Sequence, residues 1–368
     1  MSRKFRIAYF AHSLRSDWNN GNAHFLRGLL RSMGELGHTV TVYEPASDWS
    51  MRNLMEEPEG QASLEQFAKL YPDLHIVTYG AVEQTPWVQI LENTDIVILH
   101  EWNPPELAHA LLAVRDTLHF RLLFHDTHHR ASSSPEQIAS FAINRFDGVL
   151  AFGEVLRSLY RERFGIDRVW VLHEAADTSI FKPLDIPQTS EDVVWVGNWG
   201  DDERSAEIQQ YLLTPAVQLR KYRFAIYGVR YPEHGLSALR SAGVRYSGYL
   251  PNLHAPAVYA AARLTVHIPR QQYASQMTGI PTIRVFEALA CGIPLISAPW
   301  RDTEGLFREG DYARVDSSEG MRNTIEHLLN DPAAAQSQSA RGLETICAHH
   351  TCRHRAVQLT NILEEHLS

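Results

Sequence analysis

Short apolar runs alternate with longer amphipathic stretches along the whole chain. Residues 5–11 (FRIAYFA) are almost continuously apolar and predict a buried strand. Phe25, Leu26, Leu29, Leu30, Met33 and Leu36 then recur at helical spacing and predict a helix over 24–36. Further apolar runs at 39–43, 74–79, 96–100, 122–125, 148–152 and 169–172 predict strands with helical patterns between them. Continuous apolar strands separated by helices imply a parallel sheet covered on both faces.

The pattern breaks at 182–192 (KPLDIPQTSED), where two prolines and several polar residues read as a linker. It then restarts, with strands predicted at 193–196, 224–227, 264–267 and 295–297, and a last helix at 352–367 that no strand follows. The expected division is a first α/β domain over 1–181, a linker at 182–192, a second α/β domain over 193–349 and a terminal helix in 350–368. For 368 residues, a prior of roughly 150 per domain agrees with two domains. There is no short-period repeat and no low-complexity tract.

Composition narrows the class. Hydrophobic residues make up 44% and charged residues 21%, which excludes wholesale disorder. The formal charge is 34 − 43 = −9, which argues against a duplex nucleic-acid binder. Three cysteines (Cys291, Cys347, Cys352) are too few for a disulfide scaffold and point to a reducing compartment. The apolar run at the N-terminus is too short and too broken by Arg6 and Tyr9 for a signal peptide, and no stretch is long enough to span a bilayer. The expectation is a cytoplasmic protein. The helix at 24–36 places Arg27 and Arg31 beside Leu and Phe, which suits a peripheral membrane contact or, more commonly, a core with a solvated face.

The strongest chemical signal is 279–299 (GIPTIRVFEALACGIPLISAP). Pro281 sits where a helix would start, Gly292 where it would stop, and a buried strand follows. A helix N-terminus behind a sheet presents N–H groups and a positive dipole end, which suits a diphosphate. Glu287 lies about one and a half turns into that helix, where a carboxylate can accept hydrogen bonds from a ribose diol. A surface glutamate beside a sheet is the plainer alternative.

EALACGIP resembles the signature helix of the GT-B glycosyltransferases, in which a Glu, a run of small residues and G-x-P bind the nucleotide ribose. HEAADTSIFKP (173–183) resembles the segment that ends the N-terminal domain of that class, and GNWGDDER (197–204) the first loop of its C-terminal domain. With RVFEALACG and DTEGLF (302–307), these resemble the CgeB-like branch within the group 1, retaining-type enzymes. The resemblance implies two Rossmann-like domains facing a central cleft, acceptor on the first and nucleotide sugar on the second, with the last helix crossing back to the first. Two positions depart from the pattern. The first Glu of the E-x7-E pair falls on Gly279, and the Arg and Lys that stand six residues apart fall on Asn198 and Arg204.

On this reading Glu287 holds the ribose, while Arg204, Arg284 and backbone N–H groups near Pro281, Thr282 and Ile283 hold the diphosphate. Negative charge builds on that leaving group as the glycosidic bond breaks, and cations there stabilise it without a metal. Gly197 and Asn198 belong to the same donor loop. Arg230 and Arg270 follow predicted strands, and Tyr249 follows Gly248 near the base. HDTHHR (125–130) lies at the carboxyl end of a strand, where open α/β sheets bind ligands. His125 takes the place of a family histidine near the donor sugar. Asp126 is a candidate base or orienting partner. Glu101, in HEW (100–102), and His24 are alternative bases, and Gly21 and Asn22 lie in the first loop, on the acceptor side.

Three plainer patterns accompany these. HDTHHR does not have metal-ligand spacing; Asp201-Asp202-Glu203 reads as helix N-terminal charge; and Cys347, His349, His350, Cys352 and His354 lack a second Cys pair for zinc. No cofactor and no metal are expected. The resulting expectation is a hexosyltransferase that uses a nucleoside diphosphate sugar and a hydroxyl acceptor, with retention. A sugar-nucleotide epimerase and a catalytically degenerate nucleotide-sugar binder are the alternatives.

Overall fold

The computed structural model describes residues 3–187, 191–200 and 203–366. The chain forms two compact units: Met1–Glu174 with Cys352–Ser368, and Ala175–Thr351.

In the first unit seven strands form a parallel sheet: β1 (Arg6–Phe10), β2 (Thr39–Pro45), β3 (His75–Tyr79), β4 (Ile96–His100), β5 (Arg121–Asp126), β6 (Gly148–Ala151) and β7 (Val169–Val171). Their order is β3-β2-β1-β4-β5-β6-β7. Tyr9 lies between Val42 and Ile98, and His100 opposite His125. β4 and β6 are buried along their whole length, as continuous apolar strands require. The predicted helix at 24–36 forms as Ala23–Glu35, with Phe25, Leu26, Leu29, Leu30 and Met33 in the core. The last helix, Cys352–His366, packs on it in this unit. Thr360 Oγ1 lies 2.9 Å from His38 Nε2, and Arg355 and Gln358 bond to the carbonyls of His173 and Val171 at 3.0 and 2.8 Å.

In the second unit β8 (Val193–Val196), β9 (Phe224–Tyr227), β10 (Arg245–Tyr246), β11 (Leu264–His267), β12 (Leu295–Ser297) and β13 (Ala313–Arg314) run in the order β10-β9-β8-β11-β12-β13, all parallel. The core gathers Trp195, Ile226, Val266, Ile296 and the helix residues Leu212, Leu239, Met321 and Ile325. β10 and β13 are outermost, two residues long and largely exposed, so no apolar run marks them in the sequence.

The compact units meet at 174/175, ahead of the stretch read as a linker. Residues 182–187 carry no helix or strand, and 188–190 lie outside the described residues. Glu191 and Asp192 are anchors of the second sheet. Glu191 pairs with Arg245 at 2.5 Å, and Asp192 takes the Arg223 N–H at 2.8 Å and Arg263 at 3.1 Å.

Arg27 departs from the solvated stripe expected of its helix: it is fully buried. Its guanidinium bonds to Asp17 at 3.1 Å and to the carbonyls of Leu14 and Arg15 at 2.8 and 2.9 Å. Buried Glu44, on β2, accepts the Leu14 and Arg15 N–H groups at 2.7 and 3.2 Å. Loop 13–20 is thus held by one buried cation and one buried carboxylate. Arg27→Ala leaves Asp17 buried without its cation and is expected to cost about 3–5 kcal/mol of stability. Urea denaturation checks this; a loss under about 1 kcal/mol, the value of an exposed pair, contradicts it.

Candidate active site

Both sheets reverse strand order beside their first strand, at β1/β4 and at β8/β11. Open α/β sheets bind ligands outside the carboxyl ends of strands at such points. Each unit carries a polar set there.

In the second unit that set centres on Arg204. The side chain is part-buried; its guanidinium donates to the Ile268 carbonyl at 3.1 Å and lies over the Trp195 ring at 5.3 Å. Among the described residues no carboxylate pairs with it, and its Nε has no hydrogen-bond partner. Burial, and then the nearby charge of Arg270, bring its pKa down to about 9. A cation made uncomfortable in this way gains from an anion.

His267, at the end of β11, connects this point to the helix Ile283–Ala290. Its Nδ1 lies 2.9 Å from Ser297 Oγ and its Nε2 2.9 Å from Thr282 Oγ1. Burial, and then Arg204, lower its pKa to about 3, so the ring is neutral. Thr282 stands at the N-cap with an extended backbone, but its hydroxyl goes to His267 and no side chain caps the helix among the described residues. Such a helix start presents backbone N–H groups and the positive end of the helix dipole. Glu287 is fully buried, unlike a surface glutamate, and accepts Arg284 from the preceding turn at 2.5 Å. Pro281 and Ile283 are buried in the turn and first helical position.

Gly279 explains one departure from the family pattern. Its φ is +96°, and a Cβ there would lie 2.5 Å from Thr303 Oγ1 and 2.8 Å from Glu304 Cγ. The space of a side chain at 279 is already filled by the loop after β12, which brings the Glu304 carboxylate within 3.1 Å of that position. Nothing in the apolar pattern pointed to Glu304.

The other donor-side residues divide. Gly197 donates to Tyr227 O at 2.9 Å and accepts the Tyr231 hydroxyl at 2.6 Å. Asn198 Oδ1 accepts the Val229 N–H at 2.8 Å, so the position of the missing cation braces the loop after β9. Arg270 pairs with Glu203 at 2.6 Å, and Gln272 donates to the same carboxylate at 3.0 Å. Asp201 and Asp202 lie outside the described residues. Arg230, in a left-handed conformation (φ 59°), and Tyr249 sit on loops after β9 and β10, across β8 from the helix start.

In the first unit, His125 and Asp126 are strand neighbours and face opposite sides of the sheet. His125 points to β1 and the helix Ala23–Glu35: its Nδ1 lies 2.8 Å from the Tyr9 hydroxyl, and its ring meets Phe25 edge-on at 6.3 Å. It is fully buried, its Nε2 has no hydrogen-bond partner among the described residues, and burial lowers its pKa to about 3. Asp126 points the other way, accepting the Tyr160 hydroxyl at 2.6 Å and the His128 N–H at 2.9 Å. Burial raises its pKa to about 6. Glu101 is buried and ion-paired with Arg130. Asn22 makes no cap; its amide donates to Thr127 Oγ1 at 2.9 Å, beside Gly21 in the turn before the helix. His24 is fully buried in the first helical turn.

Two residues that the sequence reading passed over stand out here. His12, just past β1, stacks on His100 at 6.0 Å, and Arg130 lies over Trp102 at 4.2 Å. Among the described residues no three His, Cys, Asp or Glu are grouped to hold a metal ion. Of the Cys/His cluster, Cys347, His349 and His350 belong to the second unit and Cys352 and His354 to the first. Among the described helices none is long and apolar enough to cross a membrane.

The buried neutral imidazoles set the acid response. Unfolded histidines take up a proton near pH 6.5, whereas His125 and His267 do so only near 3. Between these values the unfolded state binds more protons, so stability is present above pH 6.5 and is lost as pH falls. Each ring contributes a slope of about 1.4 kcal/mol per pH unit. Denaturant titrations from pH 7.5 to 4.5 should show the decline, and His125→Gln should reduce the slope by about one proton. Asp126 acts in the opposite sense, since its raised pKa favours the folded state as pH falls below about 6.

Comparison with known proteins agrees with this geometry. Residues 204–361 match a family model described as glycosyl transferase-like, and residues 19–180 match glycosyltransferase family 4. No curated protein matches the chain significantly. Among solved structures, HepE of Anabaena in complex with UDP and glucose superposes with a TM-score of 0.72 at 14% identity, covering 98% of this chain and 99% of that one. An alpha-glucosyltransferase in complex with UDP and a 13-mer DNA containing an HMU base gives 0.69 at 12%, covering 99% and 100%. Sucrose-phosphate synthase from Thermosynechococcus elongatus gives 0.64 at 14%, covering 99% of each. Those likenesses are of fold, and the two domain matches supply the rest: the chain is a glycosyltransferase of the GT-B fold.

Proposed function

We infer that the chain transfers a hexose from a nucleoside diphosphate sugar to a hydroxyl-bearing acceptor, with retention and without a metal ion. The observation that carries this reading is Arg204, a part-buried cation with no carboxylate partner among the described residues, near the helix start at Thr282. A diphosphate would satisfy both. UDP in the complexes of HepE and the alpha-glucosyltransferase supports a nucleotide at this kind of site.

In this reading Glu287, oriented by Arg284, takes the ribose hydroxyls, and Ile283 and Arg284 amides face the phosphates. The bond from the sugar C1 to the phosphate oxygen breaks, and its electron pair leaves on the diphosphate. Arg204, Arg284 and the helix dipole stabilise that charge. A new bond forms from C1 to the acceptor oxygen, whose proton passes to the departing phosphate. This route needs no dedicated base, which suits the first unit. Asp126 is engaged by Tyr160, Glu101 by Arg130, and His24 is fully buried. His125 is buried too, so His12 is the imidazole nearer the surface at that edge.

Thermal unfolding against UDP, GDP, TDP, ADP and CMP tests the donor reading. One nucleotide at about 100 times its Kd should add about 2.7 kcal/mol of stability. Glu287→Ala should weaken that nucleotide about 10- to 100-fold, the value of a charged hydrogen bond to a hydroxyl. Arg204→Gln should lower kcat/KM by at least about 100-fold, as for loss of one charge-stabilising donor. A chain that responds to none of the nucleotides overturns the assignment.

A further inference from the structure

We propose that Trp102 is the stacking platform of an acceptor site for a carbohydrate, so that the transferred hexose is joined to another sugar. This deepens the reading above by naming the acceptor class, and rests on it for the reaction.

Trp102 follows β4 at the β1/β4 reversal, the place where the first sheet has its ligand edge. The residue is 43% exposed. An exposed tryptophan is by itself unremarkable, but this one is built in. The Arg130 guanidinium lies 4.2 Å from its ring centroid, and His128 meets it at 4.9 Å with planes at 70°. Arg130 is in turn fixed by an ion pair with buried Glu101 and by the Glu101 carbonyl at 2.6 Å. The indole is therefore rigid before anything binds, which lowers the entropic cost of stacking on it.

The surroundings select the occupant. His12 stands 5.9 Å from the indole and stacks on His100, which reaches Thr127 Oγ1 at 3.0 Å. Burial, and then the charge of Arg130, bring the His12 pKa down to about 4. The imidazole of His12 beside the ring is thus kept neutral by burial, and the guanidinium over the ring is ion-paired with Glu101. A pyranose offers an apolar C–H face for the indole and a rim of hydroxyls for neutral donors and acceptors. Sites of this composition, one aromatic face with a few placed polar groups, fix orientation without charge.

The test uses the full chain, with Trp102→Ala and Trp102→Phe. The probes are a printed panel of mono- to trisaccharides, followed by titration of any that is retained, and phosphatidylcholine vesicles. The nucleotide-induced thermal shift is measured on all three proteins and reports the donor side separately. The expected result is a saccharide held by the parent chain, bound at least about tenfold more weakly by Trp102→Ala and within about threefold by Trp102→Phe, with the nucleotide shift unchanged. Retention of no saccharide, equal binding by Trp102→Ala, or vesicle binding that depends on Trp102 in place of saccharide binding overturns the proposal. Any of these beside an intact nucleotide shift leaves the transferase reading standing.

Discussion

The strands β4, β6, β8, β11 and β12 are buried along their whole length, and a parallel sheet covered on both faces has little place for polar side chains except at its edges. This constraint orders the rest of the molecule. His100, His125, Asp126, His267 and Ser297 all sit in the last two positions of their strands, and all are buried. Burial there removes charge from the imidazoles and raises the Asp126 carboxyl. The carboxyl edge of each sheet thus becomes a neutral hydrogen-bonding surface into which a few charges are placed deliberately.

In the second unit those charges are cations held close to their limit. Arg204 keeps a carbonyl and an indole face for company, and Arg284 is turned back on Glu287. The threonine that should cap the helix is diverted to His267. The Gly279 turn belongs to the same economy of space, because Thr303 and Glu304 occupy what a side chain would need.

The first unit solves a different problem, which is holding loops rather than charge. Arg27 with Asp17, Glu44 with the amides of Leu14 and Arg15, and Arg130 with Glu101 each pin a connecting segment to a strand or helix by a buried ion or charge-assisted bond. Such pairs are costly to break and contribute little net stability when whole. Their effect is to fix where the residues after β1 and β4 lie.

Strand positions were legible from the sequence alone, because residues buried on both faces must be apolar throughout. The strands at 96–100, 193–196, 224–227, 264–267 and 295–297 fall where the pattern places them. So does the helix that carries Glu287, marked by proline before it and glycine after it. What sequence could not show is the direction and company of a side chain. It placed Asp126 beside His125, yet successive strand residues face opposite ways, and Tyr160 claims the carboxylate. It read Arg27 as solvated, yet the Asp17 and carbonyl partners that bury it are contributed by a loop with no periodicity. Glu304 and Trp102 lie on loops after β12 and β4, and their neighbours are set by chain reversals far apart in sequence. Local periodicity encodes burial; partnership between distant polar groups is decided only when the sheets assemble.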